Sequence, residues 1–180
     1  MSDFINSPIL ITQQIKRDWR EEALHEEFCA QIEGFDARSI GEIVDYLIEQ
    51  DGEADRFLNL FLAANSLALI PISSRTEIAD SCQQLLNALY ALISYTPKIG
   101  CALTSELEID RIHAIQTQAL SAIAVTWRDE PETLAQLKSI VQFDSDSAIR
   151  AATIWEIVWG WCDDPDIFPW LRSWIESDAD

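Results

Sequence analysis

Apolar residues recur along most of this chain at helical intervals and almost never alternate. Leu24, Phe28 and Ile32 stand four apart, and Ile40, Ile43, Val44, Leu47 and Ile48 follow the spacing of one helical face. This pattern predicts a helix over about 19–32, with Asp18 as its cap and Gly34 and Asp36 as its end. A second is predicted over about 38–50. Ser7 followed by Pro8 offers a cap and a proline at a first helical position. The "QDGE" at 50–53 reads as a tight turn. The run "EADRFLNLFLAANSLALI" after it predicts one helix that is apolar on most sides, and so the most buried, ending at Pro71. Further helices are predicted over about 75–95, 105–126 and 131–142, and from Asp146 onward. No β-branched alternation bounded by hairpin turns is found.

The second half repeats itself. "TWRDEPETLAQLKS" at 126–139 and "GWCDDPDIFPWLRS" at 160–173 align at an offset of 34 residues. Trp127 then stands over Trp161, Asp129 over Asp163, Pro131 over Pro165 and Leu137 over Leu171. Each tryptophan closes one helix, and the acids precede the next, where free N–H groups attract negative charge. Each proline is expected at the first helical position. Asp144 and Asp146 recur as Asp178 and Asp180. The repeat is therefore a helical hairpin, which cannot cover its own apolar face and must pack on a neighbour.

Charge narrows the choice of partner. There are 31 acidic and 12 basic residues, for a net charge of −19 and a pI near 4.2. Nucleic acid would meet a surface of its own sign and lose the counterion release that drives such binding. Anionic membranes are disfavoured for the same reason, and no apolar run has the length that crosses a bilayer. "MSDFINSPIL" has no basic segment before an apolar one, so a secretory leader is not expected and the cytoplasm is. Cys29, Cys82, Cys101 and Cys162 have no ordered spacing, and buried thiols acting as small hydrophobes are expected.

Period alone does not separate repeat families, but the tetratricopeptide pattern is missing. The acid-rich turn "DSDS" followed by Ile149-Arg150-Ala151-Ala152 resembles a HEAT-type repeat. That likeness implies an interaction between a turn aspartate, Asp144 or Asp146, and Arg150 across stacked units. Over roughly 18–176 the chain also resembles the C-terminal helical region of mainly cyanobacterial NACHT-family NTPases. The residues that carry this likeness are "GEIVDYLIEQDGEADRFLNLFLAANSLALI" and the two Trp-Asp-Pro phrases. These are proposed conflict-system proteins whose helical arm is taken to sense or bind something. No GxxxxGK[ST] occurs, so hydrolysis does not carry over. The fold expected is an all-α α-solenoid, a right-handed superhelical stack of about eight helices in antiparallel pairs. It would form one helical domain over 1–180, with an N-terminal part at 1–103 and HEAT-like units at 104–180.

Local chemistry is sparse. Glu22 with His25, and Asp110 with His113, have the i, i+3 spacing of di-metal carboxylate bundles, but the two core-facing carboxylates such a site also needs are not evident. His25 and Cys29 are two ligands and do not make a zinc site. No metal or cofactor is expected, nor any catalytic residue. Five of the seven tryptophans fall between 155 and 174. Trp155, Trp159, Phe168, Trp170 and Trp174 either cap the stack or form an edge that meets another molecule, since large aromatic patches concentrate at binding centres. The expected function is a non-enzymatic protein-interaction scaffold. Its partner would be a protein, basic or an NTPase acting in trans, or a second copy. The alternatives are a HEAT-like bilin lyase or chromophore chaperone, the lyase activity being found among HEAT-like chains, and a di-metal helical-bundle oxidoreductase.

Overall fold

The computed structural model describes residues 8–97 and 106–178. Among these the regular elements are all helical, as the apolar periodicity requires, with no strand. Among the described residues no helix is long and apolar enough to cross a membrane. The chain divides into two compact units, Met1–Ala91 and Leu92–Asp180. Cys101, Ser7 and Asp180 lie outside the described residues, and so do the side chains of Glu22 and Asp178.

The first unit holds α1 (Pro8–Asp18), α2 (Glu22–Gln31), α3 (Ala37–Ile48), α4 (Leu58–Ala68) and the short α5 (Ile72–Arg75), and α6 (Ala79–Ile93) begins in it. The pair α3 and α4 is its centre, with α1 against α2 and α3, and α2 against α4. Ile40, Ile43, Val44 and Leu47 line the buried face of α3, whose N-terminus is capped by Asp36 accepting from the Ser39 N–H at 2.7 Å. Phe28 meets Phe35 edge to face, with ring centres 5.5 Å apart. α4 buries residues on nearly every side, as its composition predicts. Ser66 is buried without cost to the core because its hydroxyl donates to the Leu62 carbonyl at 2.7 Å.

The start of α4 differs from the sequence expectation of one helix from Glu53. A 3-10 turn, Glu53–Asp55, comes first, and then Arg56 and Phe57 both take left-handed φ, at 55° and 59°. That conformation costs about 1–2 kcal/mol for each residue with a Cβ. The tertiary contacts around the loop hold it. Gly52 O accepts from Asp55 N at 3.0 Å and from Phe57 N at 2.7 Å. Buried Asn59 donates through Nδ2 to Leu47 O at 2.8 Å and Gln50 O at 3.1 Å, closing the carbonyl end of α3. A Cβ at Gly52 would stand 1.8 Å from Asn59 Oδ1 and 3.1 Å from the Phe57 Cα.

The second unit contains α7 (Glu106–Thr126), α8 (Pro131–Phe143), α9 (Ser147–Gly160) and α10 (Ile167–Asp178). α8 and α9 pack as a hairpin across the turn at 144–146, and α9 also packs along α7. The two Trp-Asp-Pro phrases share one backbone arrangement. Trp127 N donates to Ile123 O and Trp161 N to Ile157 O, both at 3.0 Å. Glu130 N reaches Trp127 O at 3.1 Å, and Asp164 N reaches Trp161 O at 3.0 Å. Thr133 N to Glu130 O, 3.0 Å, is matched by Ile167 N to Asp164 O, 3.2 Å. Burial recurs as well: Ile115, Ala119 and Ile123 on α7 answer to Ile149, Thr153 and Ile157 on α9.

The copies diverge in three places. Pro131 is the first residue of α8, as expected, but Pro165 is not the first of α10, which starts at Ile167. Pro169 explains this. It has no N–H to return to the Pro165 carbonyl, so the helix begins where Pro169 falls in the first turn and its missing donor is not needed. Asp164 Oδ1 instead accepts from Asp166 N at 2.9 Å, whereas Glu130 makes no side-chain cap. Asp129 and Asp163 are both exposed, and Trp127 is buried while Trp161 is half-buried. At the 144–146 turn Arg150 does meet Asp144, but inside one unit and through main chain. Its guanidinium donates to the carbonyls of Asp144, at 2.9 Å, and Ser145, at 3.3 Å.

Gly52→Ala should lower unfolding stability by about 2 kcal/mol through overpacking alone, because its φ of −101° suits any residue. Asn59→Ala should cost about 1–3 kcal/mol by taking the amide donor from the Gln50 carbonyl and from the Leu47 carbonyl, which keeps the Gln50 N–H at 3.2 Å. Urea titrations followed by circular dichroism measure both. Wild-type midpoints for both variants would show that the closure does not hold the loop.

Candidate interaction surface

The aromatic residues singled out by sequence occupy α9 and α10, and the structure sorts them into two groups. On α9, Trp155 and Trp159 are one turn apart and point to solvent, 68% and 75% exposed. Their rings stack, 6.3 Å between centres and 11° between planes. On α10, Trp170 is half-buried beneath a cation, with Lys138 Nζ of α8 5.0 Å from its ring centre. Trp174 is half-buried too, whereas Phe168 and Ile175 are each 59% exposed. Phe168, Pro169, Leu171, Arg172, Ile175 and Glu176 line an open groove of about 720 Å³ along α10.

The repeat gives each of these side chains a counterpart to compare it with. Counting back 34 residues, Ile154, Trp155 and Val158 on α9 correspond to Leu120, Ser121 and Ala124 on α7. Leu120 and Ala124 are buried and Ser121 is half-covered, and α9 packs along that helix. On α9 the equivalent Ile154 and Val158 are only half-buried and Trp155 is exposed. Likewise Leu137 and Val141 of α8 are buried, while Leu171 is half-buried and Ile175 exposed. The second copy thus shows to solvent part of what the first copy hides.

Polar groups at this end are tied to the packing. Asp146, the N-cap of α9, accepts from Ala148 N at 2.8 Å and lies 3.3 Å from His113 Nε2 on α7. The Ala148 N–H, and after it the neighbouring His113, hold the Asp146 carboxyl below the usual carboxylate range. Glu156 of α9 goes the other way. Partial burial pushes its carboxyl up, although the Ser121 hydroxyl donates to it. Sequence reasoning placed Asp146 at the helix start but missed both inter-helix partners, which are set by tertiary position rather than by a local motif.

The remaining candidates are dispersed. His25 Nε2 donates to the Trp19 carbonyl, which only accepts, so that nitrogen carries the proton. Asp110 is exposed and does not join His113 in a larger cluster. Among the described residues no group of three or more His, Cys, Asp or Glu gathers as a metal site. The expectation of buried thiols holds for Cys82 but not for Cys162, which is exposed in the turn after α9. Cys29 is half-buried, and burial pushes its thiol up. In comparisons with known proteins, no family model, no curated protein and no solved structure matches this chain.

A carboxyl whose folded pKa is raised penalises the folded state at pH values above that pKa and ceases to do so once pH falls below its unfolded value. Glu156→Gln should therefore raise the melting temperature at neutral pH, by an amount that shrinks to nothing near about pH 4. Paired thermal melts of the two proteins across that range measure it. A Gln variant less stable than wild type at pH 7 would contradict the assignment.

Proposed function

We propose that this chain is a non-enzymatic protein-interaction scaffold, related to the helical arm of NACHT-family conflict-system proteins. In this reading α7 to α10 are HEAT-like units of an α-solenoid, and the aromatic end of the second unit is the working surface. The observation that carries the proposal is the stacked, exposed pair Trp155 and Trp159, held parallel on a helix that buries Ile149, Thr153 and Ile157 on its inner face. Exposed tryptophans cost solubility, and their apolar area stabilises a complex once a partner covers it. The recurring turn geometry supports the repeat assignment, and the net charge of −19 favours a basic protein as partner.

The five aromatics should not contribute equally. Trp155 and Trp159 touch little of the core, whereas Trp170 carries Lys138 on its face. Trp155→Ala with Trp159→Ala should abolish partner capture while the melting curve stays close to wild type. Trp170→Ala should lower stability by about 1 kcal/mol through the lost cation–π contact. Photo-crosslinking from position 159 in cells, compared with the double variant, tests the reading. Substrate turnover by the purified protein, lost on changing a single acidic or histidine residue, would replace it with an enzyme.

A further inference from the structure

The way α9 sits on α7 defines what would sit on α9. We infer that the open face of α9 receives a basic amphipathic helix, with a lysine or arginine laid on Trp155. This rests on the scaffold reading and names the partner's chemistry. α9 approaches α7 with Ile149, Thr153 and Ile157 buried on its inner face, and with Glu156 hydrogen-bonded to Ser121. Moved on by one repeat, the same arrangement brings an incoming helix over Ile154, Trp155 and Val158. Its residue equivalent to Glu156 then lands on Trp155, the residue equivalent to Ser121.

That exchange inverts the charge required. A serine hydroxyl donates to a carboxylate, but the face of an indole carries negative potential and attracts a cation. The chain already uses this contact, with Lys138 over Trp170 and the Arg20 guanidinium 4.2 Å above the Trp19 ring. The charge close by in sequence agrees, since α9 itself carries Glu156, and Asp163, Asp164 and Asp166 follow it before α10 begins. A second copy is the poorer occupant. Two chains of net charge −19 repel, and the inner face of another α9 would bring its Glu156 carboxylate onto the indole. The expected ligand helix therefore has an apolar residue, a small residue four positions on, a basic residue three further and an apolar residue next.

The test uses the intact protein and two stapled, fluorescein-labelled peptides covering residues 147–160. The first carries E156K, with W155K and W159K on its outer face. The second keeps Glu156 and reaches the same net charge through A148K and A151K with W155K and W159K. In fluorescence anisotropy the first should bind about tenfold more tightly than the second, the size of one good cation–π contact. Trp155→Ala in the protein should remove that difference, and Trp155→Phe should keep most of it. Equal binding of the two peptides, or a preference that survives Trp155→Ala, overturns the inference. Sedimentation showing a Trp155-dependent dimer overturns it as well, because a second copy then covers the face. If the Trp155→Ala, Trp159→Ala protein still captures its cellular partner, the scaffold reading itself fails. If capture is lost but the peptides are not distinguished, only the basic helix is wrong.

Discussion

A hairpin of two amphipathic helices leaves apolar surface uncovered, and the contact between α9 and α7 is how the second unit deals with it. Ile149, Thr153 and Ile157 are buried to near zero exposure. Each aliphatic side chain removed from water in this way contributes about 1.5–3 kcal/mol. Thr153 can join them because its hydroxyl donates to the Ile149 carbonyl at 2.7 Å, leaving no polar atom unpaired. The N-cap at Asp146, its approach to His113 and the Glu156–Ser121 bond are all located by this one packing. So is the exposed aromatic pair, because the side of α9 turned from α7 and α8 is the side that carries Trp155 and Trp159.

The first unit satisfies the same demand through polar closure of a loop. The apolar run from Leu58 must enter the core at once, so its first turn has no room for a solvent-exposed cap. Asn59 supplies the connection from inside, binding the end of α3. The left-handed pair Arg56 and Phe57 turns the chain sharply enough for that to happen. Strain of this kind persists where surrounding contacts over-determine it, and here two bonds to Gly52 O and two from Asn59 do so.

Helix positions were legible in the sequence wherever apolar spacing and breakers agreed. α3, α7, α8 and α9 begin and end within two residues of expectation, and the buried character of α4 follows from its composition. Boundaries failed where a backbone detail outweighed periodicity. The left-handed residues at 56 and 57 delay α4, and Pro169 shifts the start of α10 although Pro165 matches Pro131 in the alignment. The aromatic cluster could be named from sequence, but its division into an exposed pair on α9 and a half-buried group on α10 could not. Periodicity places a residue on a helix face, and only the neighbouring helix decides whether that face is covered.

The aromatic exposure on α9 and the acidic residues that follow it have to be read together. An open face with Ile154, Val158 and two indoles is a liability for association with any apolar surface. In the basic-helix proposal, acids close in sequence to that face would impose selection, since a neutral or acidic partner would desolvate them without compensation whereas a basic one would pair with them. The half-burial of Glu156 shows the same balance inside the fold: a carboxylate is kept at a packed helix contact at some cost to stability, eased by one hydroxyl. Copying that contact onto Trp155 would leave the carboxylate with no donor at all. A repeat that simply continued itself there would be electrostatically mismatched, and this is the ground on which we propose, for the open face of α9, a helix of different charge over another copy of its own.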